Sequence, residues 1–130
     1  VGWRGSELAV FGPDVVPLDR ADAAAAYNLA MKLCSQSRYG LDDAMFLAIE
    51  RLDVDESGPY AQQWLAERIM PGELLLVFGR DEVFRVPSGL FLSGWQDMFC
   101  PSRDDVVIVP ACGGWVLFYC HEDEFEFAWI

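Results

Sequence analysis

The side chains best suited to chemistry gather near the C-terminal end. His121 is the only histidine; it follows Cys120 directly and stands beside Glu122, Asp123, Glu124 and Glu126. Imidazole and carboxylates together could hold a divalent metal and activate water for hydrolysis. A thiol next to an imidazole could form a nucleophile–base pair. Spacing argues against both. Along a strand, neighbouring side chains point to opposite faces, so Cys120 and His121 would not meet. No second histidine supplies the spacing of a zinc enzyme. A small metal-dependent hydrolase built on His121 and its acids is kept as the alternative reading, with no metal ligand, catalytic residue or cofactor assigned.

Other motifs are weaker still. Asp53-x-Asp55-x-Ser57-Gly58 opens like a calcium loop, but Pro59 follows and Trp64 occupies the place of the bidentate glutamate. A solvated connector ending in a helix cap explains the same residues. Ser88, Ser93 and Ser102 have no nucleophile-elbow setting, and no glycine-rich phosphate loop is present. Cys34, Cys100, Cys112 and Cys120 fit no zinc or redox spacing. They read as reduced thiols, which together with the absence of a legible signal peptide suggests a cytoplasmic protein; the chain opens at Val1, so a removed leader remains compatible with it.

The acids at the C-terminal end need a scaffold, and the sequence supplies one. Strands are expected over 106–109, 115–120 and 124–129, joined by the turn Pro110-Ala-Cys-Gly-Gly114 and the turn His121-Glu-Asp123. Trp115 to Cys120 is apolar at every position, so that strand should be covered on both faces. The next strand alternates: Phe125, Phe127 and Trp129 on one face, Glu124, Glu126 and Ala128 on the other. We expect it at the outside of the sheet, showing its carboxylates to water. A one-residue slip would bury two glutamates, which fixes the register.

Upstream, helices are expected over 21–35, capped by Asp19, over 41–52, and over 60–70 after Pro59. The second of these rests on the apolar stripe Leu41, Ala44, Met45, Ala48 and Leu52. Leu8 to Phe11 reads as a short strand or a packed arm. A hairpin over 73–78 and 82–86 precedes a fourth helix over 89–99. Helices first and strands later indicate an α+β fold, with N-terminal helices on a mostly antiparallel sheet of about five strands and one helix inserted between strands. The 130 residues suit one domain.

Charge narrows the partners. The chain carries a net charge of −12, and after Arg103 there are six acids and no bases. Such a field repels nucleic acid and anionic membranes and attracts basic proteins. Tryptophan beside acids suits a protein-binding surface. The candidate partner-binding residues are therefore Trp95, Asp97, Asp104, Asp105, Glu122, Asp123, Glu124 and Glu126. The closing segment, with Ser102-Arg-Asp-Asp105 leading into Trp115-Val-Leu-Phe-Tyr119 and His121-Glu-Asp-Glu-Phe-Glu-Phe127, looks like that of small bacterial proteins. Short, acidic, α+β and free of catalytic motifs, the chain resembles the immunity proteins of bacterial toxin systems, without the Trp and Pro-Gly signatures of one large immunity superfamily. The resemblance implies a protein partner, a basic toxin such as a nuclease. A homodimeric structural or regulatory subunit is a further alternative.

Overall fold

The computed structural model describes residues 3–130. In chain order its elements are α1 (Trp3–Ala9), β1 (Val16–Pro17), α2 (Arg20–Leu33), β2 (Glu50–Asp53), α3 (Val54–Ser57), α4 (Tyr60–Arg68), β3 (Glu73–Gly79), β4 (Glu82–Pro87), α5 (Ser88–Met98), β5 (Val106–Pro110), β6 (Trp115–Cys120) and β7 (Glu124–Trp129). The class is α+β. The strands form one antiparallel sheet in the order β1-β4-β3-β5-β6-β7-β2, seven strands among the described residues rather than about five.

Both faces of this sheet are covered. Alternation sends Val106, Ile108, Trp115, Leu117, Tyr119, Phe125 and Phe127 to one face, where Leu8 of α1, Trp64 and Leu65 of α4, and Phe91 and Trp95 of α5 cover them. The intervening residues Val107, Val109, Val116, Phe118, Cys120 and Ala128 meet Ala23, Ala26, Ala30 and Leu33 of α2. The alanines let α2 lie close to the strands. Every residue of β6 is buried, as its unbroken apolar run requires. Phe125 packs among Trp64, Trp95 and Tyr119, with ring centroids 6.2, 5.3 and 5.2 Å away. The turn between β5 and β6 uses Gly113 and Gly114 at φ of 80° and 110°, a region open to glycine.

Three expectations are corrected. Residues 41–52 form no helix: after irregular turns, Glu50–Asp53 becomes β2 and pairs with Phe127–Glu124 of β7. A helix of twelve residues is marginal by itself. Here the ladder to β7 supplies the same backbone bonds, while Leu52 fills one core and Phe46 and Ile49 pack on the other. For the same reason β7 is not outermost; β2 lies beyond it. At the start of the chain, the segment around Leu8 is helical. Arg4 and Leu8 lie one turn apart and both are buried, and the helix unwinds ahead of Gly12 at φ 101°.

Phe127→Ala should test the register, because the ring is fully buried against Trp64 and Trp115. Urea unfolding is expected to show a loss of about 3–5 kcal/mol. A loss below about 1 kcal/mol would mean that this ring does not face the core.

Candidate functional site

The eight expected partner-binding residues divide into those turned inward and those left at the surface. Trp95 is only 3% exposed; its ring is core, and Nε1 donates to Gln62 Oε1 at 2.8 Å. Asp104 is 1% exposed and Glu126 8%. Asp105 and Asp123 are half-buried, while Asp97, Glu122 and Glu124 are exposed.

Asp104 anchors the loop before β5. Its Oδ2 accepts the Cys100 amide at 2.8 Å and Arg103 Nη2 at 2.9 Å; Oδ1 accepts Arg4 Nη1 at 3.1 Å and Arg103 Nε at 2.9 Å. Burial by itself would push this carboxyl up, but Arg103, the Cys100 amide and Arg4 outweigh it and hold it below the usual carboxylate range. Arg4 crosses from α1 with its guanidinium over the rings of Trp3 and Phe78. Its Nε faces Glu82 Oε1 at 3.4 Å without hydrogen-bond alignment.

Glu126 plays the matching part on the opposite face. The Leu41 amide donates to its Oε1 at 2.7 Å, and Arg38 Nη1 and Arg51 Nε donate to its Oε2 at 2.9 and 2.8 Å. Burial opposes the charge here too, and these donors overcome it, leaving the carboxyl below its ordinary value. Asp43 joins both arginines from the outside. A carboxylate on an interior strand must find such donors, because an unpaired buried charge is far more costly than a lost surface contact.

Around Glu126 the surface forms a polar cup of about 350 Å³, lined by Arg38, Tyr39, Arg51, Phe118, Cys120, Glu122, Glu124 and Glu126. Glu122 and Glu124 make no ion pair among the described residues. Partial burial, followed by Glu122, Asp53 and Glu126, pushes the Glu124 carboxyl up; Arg51 offsets this only in part. The cup's outer wall is therefore an acidic surface that Arg51 neutralises only in part.

His121 lies beside this wall. Both its backbone amide and its Nδ1 lie 2.9 Å from Asp105 Oδ1, and its ring meets Tyr39 edge-on at 4.8 Å. The hydrogen bond to Asp105 raises its pKa above the ordinary 6.5, with Glu122 adding to the effect. The turn is closed by Asp123, at φ 62°, which accepts the Tyr119 hydroxyl at 2.8 Å. Burial and then Glu126 push the Cys34 thiol up to about 11, and burial raises Cys120 as well, so neither supplies a thiolate near neutral pH. No group of three or more His, Cys, Asp or Glu among the described residues is placed to hold a metal ion. Asp53 of the calcium-like sequence instead caps α3, accepting the Glu56 amide at 3.0 Å.

The basic partners Arg4, Arg38, Arg51 and Arg103 were not legible as site residues, because five of the ion pairs they make span 75 to 100 positions. The available signal was Glu126 itself, flanked by Phe125 and Phe127 on a strand that proves to be interior. Compared with family models, curated protein sequences and solved structures, the chain matches none. No helix among the described residues is long and apolar enough to cross a membrane.

Two measurements check this geometry. Glu126→Gln keeps the shape but removes the charge that Arg38 and Arg51 share, so stability at pH 7 should fall by about 1–3 kcal/mol; an unchanged unfolding midpoint would contradict the network. The pH dependence has two signs. The depressed carboxyls of Asp104 and Glu126 stabilise the fold fully above the unfolded carboxylate pKa, and that contribution is lost as pH falls through their folded values. The raised His121 contributes fully below 6.5 and loses its contribution as pH rises through the folded value. An NMR titration should therefore place the His121 midpoint above 6.5, and Asp105→Asn should bring it down. A midpoint at or below 6.5 would contradict the pairing.

Proposed function

We propose that the chain is an acidic protein-binding domain that captures a positively charged protein. Immunity proteins of bacterial toxin systems act in this way, and a basic toxin such as a nuclease is the partner that fits. The observation that carries the reading is the uneven use of its acids. Asp104 and Glu126 are neutralised internally by four arginines. Glu122 in the turn between β6 and β7 and Glu124 at the start of β7 form no ion pair among the described residues; they lie next to Asp53 at the start of α3, and Arg51 offsets Glu124 only in part. A rigid sheet thus carries a patch of net negative charge, in a chain whose net charge is −12. Such a patch accelerates encounter with a cationic surface and rejects anionic ones.

Affinity capture from the source cell at low and high salt, followed by reconstitution with each purified candidate, tests the reading. The expected partner is basic, and its association slows as salt rises. Glu122→Gln with Glu124→Gln should cut the association rate by about 3–10-fold and leave dissociation nearly unchanged. Recovery of neutral or acidic partners alone, or a rate indifferent to both salt and the double substitution, would overturn it.

A further inference from the structure

The two margins of the sheet are not equivalent. At one margin β1 is two residues long, ends in Pro17, which has no amide proton, and covers only Phe84 and Arg85 of β4. At the other margin β2 runs for four residues without proline and, among the described residues, pairs only with β7. On its outer side the backbone groups of Arg51 and the Asp53 amide find no partner among the described residues, while the Asp53 carbonyl accepts the Ser57 hydroxyl; such an edge is able to template another strand.

The two ends of that edge differ in chemistry. Glu50 is opposite Phe127, and Arg68 at the end of α4 binds Glu50 at 2.7 Å. Leu47, Met70 and Trp129 each lie two or three residues from this junction, a reach of about 10 Å at most. All three are exposed, as is Ile130, whose amide binds Gly114 O at 3.0 Å. At the far end Asp53 is opposite Glu124, and the Val54 amide binds Asp123 O at 2.9 Å, with exposed Asp55 and Glu56 following. The edge therefore runs from an apolar corner to an acidic one.

We propose that β2 is a docking edge for an extended segment of a basic partner protein, added antiparallel to it. This rests on the acidic-capture reading and specifies how the partner is held. Antiparallel addition fixes the polarity of the occupant: basic residues in its N-terminal half, beside Asp53, Glu122 and Glu124, and large apolar residues in its C-terminal half, beside Leu47 and Trp129. A second copy of this chain is a poor occupant. Two-fold antiparallel pairing of β2 with itself, centred on Leu52, places Glu50 opposite Val54 and brings the apolar corner of each copy toward Asp55 and Glu56 of the other, although Arg51 then faces Asp53. An apolar corner set against carboxylates gains nothing from burial, and two chains that each carry −12 repel one another.

A fluorescent capped octapeptide serves as the probe: three basic residues, then alternating threonine and valine, then phenylalanine and leucine. Its controls are the reversed sequence and two forms N-methylated on alternate residues. At low salt the forward peptide should bind about tenfold or more tightly than the reversed one. One N-methylated set should abolish binding and the other should leave it intact, because only alternate amides of an added strand face the edge. Leu47→Asp, at a fully exposed position, should weaken binding, and amide exchange over Glu50–Asp53 should slow when the peptide is present. If both orders bind equally and both N-methylated sets are tolerated, edge addition is overturned; if binding still weakens with salt and in the Glu122→Gln, Glu124→Gln variant, acidic capture stands. If neither peptide binds in a salt-sensitive way, the edge proposal falls and the acidic-capture reading falls with it.

Discussion

A buried carboxylate holds one half of this molecule together. Glu126 sits on a strand whose neighbours Phe125 and Phe127 are fully buried, so its side chain must enter the layer between sheet and α2. A charge placed there demands donors. It finds them in the Leu41 amide, Arg38 and Arg51, three groups from two stretches of chain that have little reason of their own to lie on the sheet. The pairing draws residues 38–43 across the end of α2 and fastens β2 along β7. Which strand forms the margin, and which acids remain outside, follow from that one requirement.

Asp104 shows the same economy elsewhere. It gathers the loop before β5, α1 through Arg4, and Arg103, and Arg103 in turn binds Glu7 of α1 at 3.0 Å. The two networks lie on opposite faces of the sheet and involve different arginines. With nine basic residues against twenty-one acids, the engagement of Arg4, Arg38, Arg51 and Arg103 with inward carboxylates leaves Glu122 and Glu124 without ion pairs among the described residues. The outward acidity is thus partly a consequence of how the interior is neutralised. Retained charge at a rigid turn, closed by the Tyr119–Asp123 hydrogen bond, suits recognition better than a mobile acidic tail, because less order is lost on binding.

What sequence reveals here depends on whether a signal is local. The unbroken apolar run of β6 and the alternation of β7 announce their own burial, and the Gly-rich turns announce the hairpins. The α5 helix, with Phe91, Trp95 and Met98 at helical spacing, is legible in the same way. Residues 41–52 carry a helical stripe that is real as a pattern, yet the segment lies flat because a ladder and Glu126 compete for it. Glu126 reads as a surface glutamate until β2 is known to lie beyond it, and β2 is 71 or more positions away from its partners. Glu122 was legible because turns stay at the surface in any packing, and Glu124 because it opens β7 on the face opposite Phe125 and Phe127; Asp104 and Trp95 were not, because their burial depends on α1 and α4.

The most direct test of this account is the NMR signal of the Leu41 amide followed against pH. If that amide is bound to a buried Glu126, its proton is protected from exchange and shifts with a midpoint below the ordinary glutamate value of 4.5. A Leu41 amide that exchanges freely, or a Glu126 that titrates at or above 4.5, would contradict the anchor and with it the position of β2 at the margin of the sheet.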